Sequence, residues 1–138
     1  MISRVNSRHI GLVGEAVACK FLEKRGFEIV MRNYRKKWGE IDIIARMKDT
    51  RGGSSHQKHV ATHFFEVKSV TKSAAYYSGS HTPEENVHWS KTRHIGRMIQ
   101  TYQAENREVG EFYFHVLAVT LDMSARKARV RWLKDIIL

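Results

Sequence analysis

The sequence predicts an α/β fold in which a central mixed β-sheet is flanked by helices. The prediction rests on segment order and on size. Short segments rich in Ile, Val and Phe, the composition that strands favour, alternate with helical segments in the order α-β-β-β-α-β-β. The chain has 138 residues, of which 42% are hydrophobic. This size and apolar content suit a single domain over 1–138 with a core of its own.

The amino-terminal part is predicted to contain one helix and three strands. The helix covers 10–25 and ends at Gly26, which suits the C′ position because glycine adopts positive φ freely. Strands are predicted over 27–33, 38–45 and 63–70. The segment between the last two is polar and rich in Gly, Ser and His, so we expect a flexible loop at 46–62.

The carboxyl-terminal part is predicted to contain a second helix and a hairpin. Thr82, Pro83 and Glu85 match a capped helix start, with a hydroxyl at N-cap, proline at N1 and glutamate at N3. This helix is predicted over 82–105, with an interruption near Ser90. Two further strands, over 112–122 and 127–133, complete the sheet.

Composition limits the function classes. Cys19 is the single cysteine, which excludes an internal disulfide framework and a cysteine-rich zinc site. No stretch has the length and apolarity of a membrane span, and no apolar segment of the signal-peptide type follows the first residues. We therefore expect a cytoplasmic protein with no membrane partner.

The net charge points to a polyanionic partner. Lys and Arg number 24 against 14 Asp and Glu, which gives a formal net charge of +10 and an isoelectric point near 10. Basic domains of this size attract nucleic acid. An effect on solubility alone is the alternative explanation.

Three charged residues occupy predicted strands where apolar residues are the rule. Asp42 is surrounded by isoleucines, and Glu66 and Lys68 share one face of the next strand because side chains alternate. A buried carboxylate is unfavourable unless it is paired or binds a metal. Mg²⁺ prefers such hard oxygen ligands, and a nearby lysine can stabilise charge on a phosphate. The alternative is a solvated Glu66–Lys68 ion pair with Asp42 near a strand end.

A third carboxylate comes from the first helix. At 100° per residue, Glu15 lies at about 200° from Val13, between Leu22 and Cys19 in an apolar sector. This phase turns Glu15 toward the protein interior. The alternative is a first-turn glutamate that is favoured by the helix dipole.

The motifs occur in an order that resembles a known family. They are Gly11-Leu-Val-Gly-Glu15, Gly26-Phe27, Arg32-Asn33-Tyr34, Gly39-Glu40-Ile41-Asp42-Ile43-Ile44-Ala45, Phe65-Glu66-Val67-Lys68, Ser90-Lys91 with Arg93, and the strand over 112–119. This set resembles the YraN-like family of small bacterial proteins, within the PD-(D/E)XK nuclease superfamily, and is similar to archaeal Holliday junction resolvases. The resemblance implies a restriction-endonuclease-like core.

The resemblance also implies an active site at Glu15, Asp42, Glu66 and Lys68. By that analogy, Asp42, Glu66 and the Val67 backbone carbonyl would hold Mg²⁺ or Mn²⁺. Lys68 would position the attacking water, and Glu15 would support the metal or its water. The sequence departs from the family pattern in its longer 46–62 loop and in His115, where the family often has aspartate.

Basic and aromatic residues near these motifs are candidates for nucleic-acid contacts, through phosphates or base stacking. The candidates are Arg32, Tyr34, Arg35, Lys36, Lys37, Trp38, Lys91, Arg93 and Arg97. A solvated turn with core aromatics is the alternative. A second basic cluster, at Arg126, Lys127, Arg129 and Arg131, is explained equally well by an exposed strand face.

The leading hypothesis is a metal-dependent endonuclease that hydrolyses phosphodiester bonds in DNA, with branched or damaged DNA as substrate and DNA favoured over RNA. One alternative is a nucleic-acid-binding protein of the same fold with weak or no catalysis. Another is a module whose basic surface meets an acidic protein. Cutting both strands of a junction would suit a symmetric homodimer, and the enzyme could also depend on a protein partner.

Overall fold

The computed structural model describes residues 4–48, 61–72 and 89–138, with side chains for 7–48, 61–72 and 94–138. Its elements follow the predicted order. They are α1 (Arg4–Lys24), β1 (Phe27–Lys36), β2 (Gly39–Met47), β3 (Thr62–Thr71), α2 (Trp89–Glu105), β4 (Phe112–Asp122) and β5 (Lys127–Leu133). In the described part of the chain, neither helix is long and apolar enough to cross a membrane.

Most of the predicted element boundaries are confirmed by the structure. The helix α1 begins six residues earlier than predicted, and Gly26 follows it at φ +90° with its N–H bonded to the Glu23 carbonyl at 3.0 Å. The strands β1, β2 and β3 run into the predicted loops, so the ends of the 46–62 loop belong to strands. The rest of that loop, and the predicted helix start at Thr82, lie outside the described residues.

The five strands form one mixed sheet in the order β1-β2-β3-β4-β5. Only the β3–β4 pair is parallel within this sheet. The two described helices cover opposite faces of the sheet. Adjacent residues of one strand therefore pack in two different hydrophobic cores, one under each helix. Phe65 packs with Leu22 of α1, whereas Phe64 packs with Met98 of α2. We call these the α1 face and the α2 face.

The β1–β2 hairpin bends where it leaves the rest of the sheet. In a regular strand, residues two apart share a face. Here Ile43 packs on the α1 face and Ile41 on the α2 face, while Asn33 on the neighbouring strand has a φ of +56°. Arg32 pairs with Ile43 and Tyr34 pairs with Ile41, so the bend crosses both strands at the same point. Asp42 lies at this bend.

Candidate active site

The site is built where the sheet splits between β2 and β3. Their pairing runs from Arg46 and Thr62 to Ile43 and Phe65 and ends there, while β3 continues along β4 to Thr71. Beyond the split, the Val67 N–H donates to the Asp42 carboxylate at 2.8 Å. The Asp42 side chain thus takes the place of a backbone partner for the Val67 N–H, and this bond holds Asp42 against β3.

The split opens into a cleft of about 340 Å³ on the α2 face. Three of its lining residues, Asp42, Glu66 and Lys68, are predicted catalytic positions. The full lining is Trp38, Gly39, Glu40, Asp42, Glu66, Val67, Lys68, His94 and Ile95. The structure therefore brings together Asp42 of β2, the Glu66-Val67-Lys68 motif of β3 and one turn of α2.

Glu66 and Lys68 form an ion pair across the cleft wall. The Lys68 Nζ atom lies 3.1 Å from the Glu66 Oε1 atom, and the two side chains are 19% and 16% exposed. Their shared face follows from strand alternation and confirms that part of the prediction. The pair is shielded from solvent, in contrast to the solvated ion pair considered as the alternative.

Burial and neighbouring charge act strongly on Asp42. Burial is the largest cause that raises the pKa of its carboxyl, the Val67 hydrogen bond opposes it, and Glu66, Glu40 and Glu15 add to the rise. Together they raise the pKa from 3.8 to about 7. The carboxylate is therefore held in a place that disfavours its charge. Strongly perturbed carboxyl groups in a cleft are typical of functional sites.

Glu15 lies behind the site, on the opposite face of the sheet. Gly14 lies against β3, where a Cβ at position 14 would overlap the Ser69 Oγ atom and stand 2.7 Å from the Ser69 Cβ atom. This close approach brings α1 beside the residue that follows Lys68. The Glu15 carboxylate is 12% exposed and accepts a 3.4 Å bond from Arg32 Nε. It contributes to the raised pKa of Asp42 but does not line the cleft.

Sequence reasoning assigned neither Glu40 nor His94 to the cleft. Glu40 lines the rim and is paired with Arg35 at 3.1 Å. Because the strand bends at Asp42 and its alternation of faces breaks there, no local pattern predicted that Glu40 and Asp42 line the same cleft. His94 lines the cleft from α2, and its approach to β3 depends on tertiary packing that no local pattern contains.

The predicted nucleic-acid contacts divide into core and surface residues. Tyr34 is a correction: its ring is 7% exposed, packs against Tyr102 and donates a 2.8 Å bond to Glu105, so it is not available for base stacking. Lys36 is paired with the same glutamate at 2.7 Å. Lys37 is exposed near the cleft.

Trp38 and Arg97 come together at the cleft. The Arg97 guanidinium lies 4.3 Å from the Trp38 ring centre, and Trp38 itself lines the cleft. This stack is a cation–π contact between two of the predicted nucleic-acid residues. Two others, Lys91 and Arg93, belong to α2, but their side chains lie outside the described part.

The donor set of the cleft fits a hard divalent cation. Asp42 and Glu66 supply carboxylate oxygens, the ligands that Mg²⁺ prefers, and a cation would relieve their mutual repulsion. Among the described side chains, no group of three or more His, Cys, Asp or Glu residues is close enough together to form a metal site on its own. Mg²⁺ commonly takes one or two carboxylates, with water and substrate phosphate as the remaining ligands.

Fold and cleft define an α/β protein whose central sheet splits over partly buried carboxylates with a lysine beside them. A family model described as "Uncharacterised protein family UPF0102" matches residues 14–120, and the chain belongs to that family. It is 33% identical over 113 residues to a UPF0102 protein of Campylobacter jejuni, which covers 82% of this chain and 85% of that protein.

A second relative shows a similar level of identity. The chain is 37% identical over 106 residues to a UPF0102 protein of Thermotoga maritima, which covers 77% of this chain and 82% of that protein. The membership inferred from the motifs is thus confirmed at the level of the family. The matched span contains Glu15, Asp42, Glu66 and Lys68.

Proposed function

We propose that the protein is a metal-dependent nuclease that hydrolyses phosphodiester bonds in DNA. One observation carries the proposal: the Asp42–Val67 bond at the split of the sheet holds a partly buried carboxylate in the same cleft as Glu66 and Lys68. A carboxylate cluster repels phosphate, so a protein that only binds DNA gains nothing from it. The formal charge of +10 on the whole chain supports a polyanionic substrate.

In this proposal the residues of the cleft have separate roles. Asp42 and Glu66, with the Val67 carbonyl, would hold Mg²⁺ or Mn²⁺, which supplies Lewis-acid polarisation of the phosphate and a more acidic water. The Lys68 ammonium, fixed 3.1 Å from Glu66, orients the attacking water and stabilises negative charge that develops on the phosphate. Glu15 acts behind Asp42 as a positioning residue, since it lies outside the cleft.

The resemblance to the PD-(D/E)XK superfamily and to junction resolvases supports branched or damaged DNA as the substrate. The α/β sheet with helices on both faces is consistent with a restriction-endonuclease-like core. Cys19 is buried with a free thiol, which suits a reducing compartment, so the proposal places the activity in the cytoplasm.

The test is cleavage of end-labelled duplex, single-stranded, flap and four-way-junction DNA with Mg²⁺, Mn²⁺ or EDTA. Wild type is compared with Asp42→Asn and Glu66→Gln, and Glu23→Gln, an exposed change on α1, serves as the matched control. We expect metal-dependent cleavage by wild type and the control, and none by the two cleft variants. Cleavage that persists in EDTA, or in both cleft variants, would contradict the proposal.

A second candidate is a DNA-binding protein of the same fold with little or no catalysis. It is favoured by the Lys68–Glu66 ion pair, which occupies both groups, and by the lack of a ready three-ligand cage among the described side chains. Measuring binding of the same DNA forms alongside their cleavage separates the two. Tight binding of one DNA form without cleavage under any metal condition selects the binding protein.

A further inference from the structure

The strand register aligns the cleft lysine with a basic edge strand. Lys68 of β3 lies beside Ala118 of β4, which lies beside Arg131 of β5. The next row of the same face runs from Val70 through Thr120 to Arg129. The register thus places Arg129 and Arg131 in line with the cleft, although they lie about sixty residues away in sequence.

These side chains share the α2 face. Trp132 and Val130 pack into the core under α1, so the residues that alternate with them on β5 point to the other side. Leu133 confirms this orientation because it packs in the core under α2. On β4, Val116 belongs to that same core, which places Ala118 and Thr120 on the α2 face as well.

The spacing suits an extended anion. Neighbouring strands lie about 4.8 Å apart, so the Arg131 backbone is about 10 Å from that of Lys68. Successive phosphates of a duplex strand rise about 3.4 Å along the helix axis and also rotate about it, so this separation reaches a phosphate close to the one over the cleft. Arg129 and Arg131 are exposed, whereas Ala118 is buried and Thr120 is half-buried. A bound strand would therefore contact the long flanking side chains and not β4 itself.

We propose that Arg129 and Arg131 bind the DNA backbone beside the bond that lies over Lys68. This inference rests on the proposed function and names the surface that would hold its substrate. We call the strip from Lys68 across Ala118 and Thr120 to these two arginines the basic strip. It ends at Asp122, a carboxylate on the same face that is paired with Lys72 at 3.6 Å.

Charge complementarity selects DNA as the occupant. The strip presents guanidinium groups, which bind phosphate oxygens through two parallel hydrogen bonds. It carries no exposed large apolar side chain of the kind that a protein interface buries. Phosphate contacts of this type position the strand without reading its sequence.

The test is DNA affinity, measured in EDTA by fluorescence anisotropy of a labelled duplex over roughly 50 to 200 mM KCl. The double variant Arg129→Gln/Arg131→Gln removes two charges from the strip. Lys20→Gln/Lys24→Gln removes two exposed charges from α1, on the opposite face, and is the matched control. A third variant, Arg129→Lys/Arg131→Lys, keeps the charge.

We expect the glutamine strip variant to lose tenfold or more in affinity near 150 mM salt, and its salt slope to fall by about 1.8, the value for two phosphate contacts. The α1 control and the lysine variant should retain most of the slope. Equal losses in the strip variant and the α1 control would overturn the proposal, because they would show a general charge effect. Binding to an RNA duplex of the same sequence but not to DNA would also overturn it.

The design separates the strip from the nuclease activity. Affinity in EDTA requires no cleavage, so a basic strip that binds DNA is supported even if every cleavage assay is negative. Failure of wild type to bind any DNA would overturn both proposals. Cleavage without loss of affinity in the strip variant would overturn the strip alone.

Discussion

Replacing Asp42 with asparagine should make the metal-free protein more stable while removing its proposed activity. Asparagine has nearly the shape of aspartate and keeps an oxygen that can accept the Val67 N–H. It removes a charge that burial and the neighbouring Glu66 disfavour. Most substitutions in a protein interior destabilise, so a gain here would identify a residue kept for function.

The magnitude follows from the pKa of Asp42. The folded protein raises it from 3.8 to about 7, a shift of ~3 units, and each unit corresponds to about 1.4 kcal/mol. Because the folded pKa is the higher one, the unfolded chain loses its proton first, and stability falls as pH rises from about 4 to about 7. Allowing for residual solvent contact and a weaker bond to Val67, we expect Asp42→Asn to gain about 2–3 kcal/mol at pH 8.

The assay is urea unfolding in EDTA at pH 8 and at pH 5, followed by circular dichroism. The gain should be smaller at pH 5, where the folded wild type keeps Asp42 protonated. The exposed change Glu23→Gln should stay within about 0.5 kcal/mol of wild type at both values. An Asp42→Asn protein that is less stable than wild type at pH 8 would refute the reasoning.

Four further substitutions test the packing around the site. Gly14→Ala should destabilise by about 1–3 kcal/mol in urea unfolding, because its Cβ meets Ser69, whereas Gly11→Ala, with open space around it, should be neutral or stabilising. Burial lowers the pKa of His115 from 6.5 to about 4, so the unfolded chain is protonated first and stability should fall by about 2–3 kcal/mol from pH 7 to pH 4. His115→Gln should reduce that loss in the same unfolding assay. Tyr34→Phe should cost about 1 kcal/mol through the lost Glu105 bond and leave DNA affinity, measured by anisotropy, unchanged.

Each of these expectations has a result that would contradict it. Equal effects of the two alanine changes would mean that α1 does not approach β3 closely at Gly14. An acid stability profile that is identical in wild type and the His115 variant would assign the loss to other groups. A marked loss of DNA affinity in the Tyr34 variant would return that residue to the binding surface.

Local patterns predicted the strands more accurately than the places where their regularity breaks. The bounds of β4 and β5 were predicted to the residue, since apolar residues and turn signals mark them clearly. The prediction that Tyr34 stacks on bases was wrong because of Asn33, whose positive φ ends the alternation of faces along the strand. Arg32 therefore contacts Glu15 of α1, while Tyr34 packs against α2.

The same distinction applies to the site. The phase of a helix was enough to turn Glu15 inward, and alternation was enough to pair Glu66 with Lys68. The hydrogen bond from Val67 to Asp42 could not be predicted, because it depends on where two strands stop pairing. Cross-strand register likewise decides that Arg131 is in line with Lys68, and no segment of the sequence contains that information.

Binding of Mn²⁺ to the wild-type protein and to Asp42→Asn, measured by calorimetry without DNA, tests the cleft independently of any choice of substrate. Wild type should bind Mn²⁺ with release of protons near pH 7, because its Asp42 pKa is about 7 and the cation requires the charged form. Asp42→Asn should lose that binding while remaining folded. Equal Mn²⁺ binding by both proteins, or none by wild type, would contradict the account of the cleft as a metal-dependent nuclease centre.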